Sequence, residues 1–225
     1  MIKRETHSSG LQAALPIAAA YLPAAFAVGA AASQYGFSPL TGALWSLVMF
    51  SGAHQVLMLS ALASGTPLIL LALFSIIASL RHTLYGIVLV SRISPRPPAR
   101  AIFAYGLTDE VFATVLNASN HKDAHLSERW LVGLSMTALA VWVVGTSLGI
   151  AAGDILHTFS PRTHQALGFA LPALFFSFIW STASRTNLGP MIVAGGLAYL
   201  TIVLGYAEFA IPAGAIAALI LWGKK

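Results

Sequence analysis

The chain of 225 residues contains no cysteine and very few charges. Without cysteine there is no disulfide framework and no thiolate metal site, and sulfur chemistry leaves the redox compartment open. Charged residues make up 8% of the sequence, against roughly a quarter in an ordinary soluble domain, while 57% of the residues are hydrophobic. The enzyme motifs with a known mechanical basis are also missing: no His-Glu-x-x-His, no Gly-x-Ser-x-Gly and no phosphate-cradling glycine loop. The net charge of +5 comes from loops and termini. Basic residues there orient a membrane chain and meet anionic lipid, so they do not form a nucleic-acid face.

The apolar residues form runs long enough to cross a hydrocarbon core, for which roughly 20 helical residues suffice. The strongest are 11–33, 40–63, 67–90 and 130–153. Shorter runs follow at 166–183, 188–205 and 207–222, the last two separated only by Tyr206 and so either one bent element or two short crossings. The runs lack the alternating pattern of a transmembrane barrel. An all-α, polytopic helical membrane protein is expected, with six to eight membrane segments, some short or discontinuous. Small residues such as Gly29, Ala30, Gly52, Ala53, Gly145, Gly149, Gly195 and Gly196 would let helix backbones approach closely. Lys3 and Arg4 precede a run too long for a signal-peptide core, which reads as a retained first helix.

Residues 1–225 read as one integral membrane domain: a three-helix half over 1–91, a basic loop with an acidic re-entrant or discontinuous helix over 92–129, and a helical half over 130–225. The loop 91–100 carries Arg92, Arg96 and Arg100 with no acid, and is the best cytoplasmic candidate. If three full helices precede it, the N-terminus lies outside, against the pull of Lys3 and Arg4; otherwise an early segment is re-entrant. The second polar break, 117–129, mixes charges of both signs; were it also cytoplasmic, 101–116 would dip in and return. Ala14-Leu15-Pro16 and Ala170-Leu171-Pro172 hint at an internal repeat. Pro16, Pro23 and Pro172 either free backbone carbonyls for a cavity or mark packing kinks.

Polar clusters interrupt the apolar runs, where an ionised side chain costs about 2.5–3.5 kcal/mol on insertion scales. In 79–86, Arg81, His82 and Tyr85 fall at helical spacing as one patch, unless Arg81 snorkels to an interface. In 50–55, Ser51, His54 and Gln55 cover one helical face, as interhelical hydrogen-bond glue or as a polar lining. In 106–113, Thr108 is a good N-cap, and Asp109 and Glu110 suit the first turn of a helix, as plain start signals or as cavity groups. Gly106, Glu110, Ala113 and Asn117 share a face there, as expected of a discontinuous helix that lines a cavity. Arg81 is the only arginine in the middle of a strong apolar run, so its pairing with Asp109 or Glu110 is expected. His121 and His125 stand at metal-pair spacing but in a polar loop without further ligands; no metal and no cofactor are expected.

In order and spacing these clusters resemble the AzlC-type branched-chain amino acid export permeases. The resemblance runs from about residue 10 to about residue 178, on Tyr21-Leu22-Pro23 with Gly29, Phe50-Ser51-Gly52-Ala53-His54-Gln55, Leu80-Arg81-His82 with Leu84-Tyr85-Gly86, and Leu107-Thr108-Asp109-Glu110. The chain departs from the family pattern at Ala20, His54 and Ser79. The resemblance implies a multi-pass protein of the bacterial cytoplasmic (inner) membrane that exports valine, leucine, isoleucine or methionine together with a small AzlD-type membrane subunit. Tyr21, Ser51, His54, Gln55, Arg81, Tyr85, Asp109 and Glu110 are the expected substrate-binding residues. His82, Asp109 and Glu110 are the expected proton carriers, since no nucleotide motif supports direct ATP drive. Two rival readings stand beside this one: a non-transporting membrane scaffold, and an intramembrane hydrolase using Ser51 and His54.

Overall fold

The structure is a computed structural model and describes residues 9–119, 126–159, 188–206 and 209–222. The described residues are helical, without strands. In chain order the helices are α1 (Gly10–Ala13), α2 (Leu15–Ser33), α3 (Pro39–Val48), α4 (Gly52–Ser64), α5 (Leu68–Val90), α6 (Pro97–Tyr105), α7 (Asp109–Ser119), α8 (Glu128–Phe159), α9 (Leu188–Val203) and α10 (Ala210–Trp222). Among them α2, α5 and the stretch Glu128–Gly153 of α8 are long and apolar enough to cross a bilayer unaided. The described residues divide into two compact units, 9–55 with 79–159, and 56–78 with 188–206 and 209–222.

The first unit is built on the packing of α2 against α8. Its seam is lined with small residues, and the backbones come nearly into contact. A Cβ on Gly29 would lie 2.0 Å from the Thr146 carbonyl oxygen, and one on Gly149 2.1 Å from that of Phe26. In lipid, where the solvent is as apolar as the side chains, such close backbone packing is what holds helices together. Around the seam Ala24, Ala25, Val28, Ala30, Leu131, Leu134 and Ile150 are buried.

Local signals explain where the helices start. Ser9 and Gln12 form a capping box ahead of α1, and Ser38 and Thr41 form one ahead of α3, whose first residue is Pro39. Pro16 falls in the first turn of α2 and therefore removes no helical hydrogen bond, so of the two prolines in 11–33 only Pro23 sits inside the helix.

Two apolar runs are divided. The run 40–63 is two helices, parted at Met49–Ser51 by a tight turn in which the Ser51 N–H donates to the Met49 carbonyl at 2.8 Å. Ser51 consequently precedes α4 and does not share a regular helical face with His54 and Gln55. Just after the break the Trp142 indole occupies the space beside Gly52, where a Cβ would lie 2.6 Å from the ring. The stretch 188–222 is likewise two helices, turned at Gly205 with φ +85°, a conformation that favours glycine. In that second unit α9 packs on α10, with Gly214 close to the Ala194 carbonyl.

The apolar run 166–183, Pro172 with the second half of the repeat signal, and the His121/His125 pair lie outside the described residues.

Replacing Gly149 with valine is expected to overpack the seam and cost about 1–3 kcal/mol, seen as a lower unfolding midpoint in detergent, whereas valine at Gly86, which has open space around it, should leave the midpoint unchanged.

Candidate functional site

Thr108, Asp109 and Glu110 stand at a second helix break. α6 has 9 residues and ends at Tyr105; α7 has 11 and begins at Asp109. At about 1.5 Å per residue neither reaches across a bilayer core. Thr108 caps α7, its Oγ1 accepting from the Val111 N–H at 3.4 Å and its carbonyl from the Phe112 N–H at 2.8 Å. Both acids therefore sit in the first turn, where free N–H groups and the helix dipole favour negative charge. Gly106, just before the break, lies against Ser135 of α8, with no room for a Cβ.

α5 supplies the partners of Asp109. Arg81 Nη1 donates to Asp109 Oδ2 at 2.7 Å, and the Tyr85 hydroxyl donates to Oδ1 at 2.8 Å. Tyr85 is itself held by stacking on Phe112 of α7, ring centroids 4.3 Å apart. Both oxygens of Asp109 are thus engaged by groups on one neighbouring helix. The pair is not sealed, for the Arg81 and Asp109 side chains are 39% and 43% exposed. The Arg81 Nε–H is buried and has no hydrogen-bond partner among the described residues, so the guanidinium retains a donor.

α2 supplies the partner of Glu110. The Tyr21 hydroxyl donates to Glu110 Oε2 and lies 2.8 Å from Thr108 Oγ1. A phenol has one proton, and a carboxylate is the stronger acceptor, so the Thr108 hydroxyl can donate to the phenol oxygen in turn. Tyr21 is buried, its ring edge-on to Trp142 at 5.1 Å and to Phe50 at 6.5 Å.

The first break holds a second group of polar residues. His54 bridges two hydroxyls, Nδ1 to Ser51 Oγ at 2.6 Å and Nε2 to Ser79 Oγ at 3.1 Å, and so ties the break to α5 two residues before Arg81. Gln55 is fully buried; its amide donates to Ser46 Oγ at 3.0 Å and its oxygen accepts from the Trp142 indole N–H at 2.8 Å. Both ends of that amide are committed to packing. His82 turns back along its own helix, Nδ1 lying 3.3 Å from the Ser79 carbonyl, with its ring edge-on to Tyr85.

Seven of the eight expected binding residues therefore surround the two breaks, with Gln55 fixed behind them. Ser46, Trp142 and Phe112 carry parts of the arrangement that sequence reasoning missed. No sequence signal singled out Trp142, for the buried indole N–H groups of Trp45 and Trp130 have no hydrogen-bond partner among the described residues.

The family description "AzlC protein" matches residues 16–156, a stretch that contains every residue of this constellation. The chain belongs to the AzlC family. It is 36% identical over 219 residues to the inner membrane protein YgaZ of Escherichia coli, covering 96% of this chain and 87% of that one. An "Uncharacterized membrane protein" of Archaeoglobus fulgidus is 33% identical over 215 residues, covering 95% and 93%. One of the same description from Helicobacter pylori is 25% identical over 167 residues, covering 74% and 71%. No solved structure matches. The chain is thus a membrane protein of the AzlC family, in keeping with its long apolar helices.

The Arg81–Asp109 geometry can be tested by exchange. Arg81→Asp and Asp109→Arg singly are each expected to destabilise the protein by about 1–3 kcal/mol, between the limits for exposed and buried pairs. The double exchange should recover most of that loss in thermal unfolding, and no recovery would contradict the pairing.

Proposed function

We propose that the chain is the large subunit of a secondary transporter that exports branched-chain and related hydrophobic amino acids across the bacterial cytoplasmic membrane. Valine, leucine, isoleucine and methionine are the expected substrates, the proton gradient is the driving force, and a small AzlD-type membrane subunit is the partner. The observation that carries the reading is the half-exposed Arg81–Asp109 pair at the start of a helix broken within apolar sequence. Charges in a bilayer are tolerated when they pair and face a water-filled path, and half-helix N-termini at such a path are a recurring substrate site in transporters.

An amino acid matches these groups. Its ammonium fits against the Asp109 and Glu110 carboxylates. Its carboxylate suits the half-exposed Arg81 guanidinium or the free N–H groups of a half-helix start. The rings of Phe50, Tyr21 and Phe112, set around the two breaks, offer apolar surface to a branched side chain. Because the substrate brings one charge of each sign, it can enter the ion pair without changing the charge of the site. Membership of the AzlC family agrees with a transporter and gives no support to an enzyme.

The scaffold reading has one observation in its favour, the sealed Ser46–Gln55–Trp142 group, and it accounts for those residues alone. Loss of Gln55 should impair assembly, while Glu110→Gln should impair flux with assembly intact.

Purified chain and small subunit, reconstituted together in liposomes, should take up labelled leucine several-fold faster with an imposed pH gradient than without. Equal rates would remove proton drive and leave transport standing; uptake no greater than in empty liposomes would remove the transport reading.

A further inference from the structure

We infer that the two adjacent carboxylates divide their work: Asp109 is the fixed half of an ion pair, and Glu110 is the group that takes up and releases the transported proton. The inference rests on the transport reading and narrows it to one carboxylate.

The first ground is charge. Arg81 and Asp109 neutralise each other, and no cation lies within ion-pair distance of Glu110 among the described residues. The site therefore carries one uncompensated negative charge, and it resides on Glu110. Next comes the hydrogen bonding. Asp109 has both oxygens held by strong donors, so protonating it would sacrifice the Arg81 pair and the Tyr85 bond together. Glu110 has one donor, Tyr21, on Oε2, and Oε1 has no partner among the described residues. A proton can be added at Oε1 while Tyr21 keeps its bond to Oε2. Access is the third ground: Glu110 is exposed, whereas Tyr21, which holds its Oε2, is buried.

The titratable and charged groups around Glu110 agree with this division. Tyr21 comes from α2, Arg81, His82 and Tyr85 from α5, and Asp109 precedes it on α7. α8, also packed on α7, carries its charged and titratable residues near its ends, at Glu128, Arg129, Asp154 and His157, and Glu128 is taken by Arg96. His82, held to the Ser79 carbonyl, has no hydrogen bond to either carboxylate.

Two readouts test the assignment on the full chain with its small subunit in lipid. In pH-difference infrared spectra, the band of a carboxyl group that protonates should disappear in Glu110→Gln and persist in Asp109→Asn. Glutamine keeps an oxygen for Tyr21, so this variant should fold. In leucine exchange, Asp109→Asn should be slow but keep the wild-type pH profile, and Glu110→Gln should be slow with a flat one. A band that survives in Glu110→Gln, or a pH profile unchanged in it, would overturn the inference. Absence of leucine exchange in the wild type would instead count against the transport reading, and the infrared result would still decide which carboxylate titrates.

Discussion

The close approach of α2 and α8 sets everything else in the first unit. Where Gly29 meets the Thr146 carbonyl and Gly149 meets that of Phe26, no side chain separates the two backbones. One consequence is that Tyr21 on α2 and Trp142 on α8 stand edge to face, 5.1 Å apart. Each ring then reaches a different helix break. Trp142 presses on Gly52 and holds Gln55 at the first; Tyr21 binds Thr108 and Glu110 at the second. A seam of small residues, which in lipid is a packing device, is thereby also the ruler that fixes the two half-helices.

Charge follows from that placement. A broken helix exposes N–H groups that an unbroken one would bond internally, and acids at its start are the inexpensive way to satisfy them. Asp109 and Glu110 stand in that first turn, where Thr108 takes the Val111 N–H, and they bring two negative charges into an apolar segment, of which Arg81 offsets only one. The remaining charge is a cost for a purely structural helix start. In a protein that admits a cation or a proton it is the working group, which is why the account assigns function here and structure to the sealed Gln55 group.

Some of this was legible in the residues. Composition alone indicates a helical membrane protein, and Thr108 before two acids marks a helix start amid apolar sequence. A pairing of Arg81 with Asp109 or Glu110 could be named because Arg81 is the only arginine in the middle of a strong apolar run, but spacing did not say which of the two acids it takes. The break at Met49–Ser51 was hidden, since the apolar run 40–63 continues through it without a proline or a charge. Spacing could not name the partners of Gln55, Ser46 and Trp142, which lie 9 and 87 residues away, although hydrogen-bond glue was one of its two readings. His82 reads as one polar patch with Arg81 and Tyr85 on spacing, yet a side chain can turn back to its own helix, as it does toward Ser79. Periodicity reports which residues share a face; it does not report which of them are already satisfied.

On the proposed transport reading, the second break opens on an aqueous path that a hydrophobic amino acid enters. The chain has no cysteine, and Ala113 is exposed one turn beyond Glu110 on the same face of α7. A single cysteine at Ala113 in the reconstituted protein should react with a water-soluble, membrane-impermeant thiol reagent, and leucine should slow that reaction in proportion to its concentration. Labelling only by a lipid-soluble reagent, or at a rate indifferent to leucine, would contradict the account.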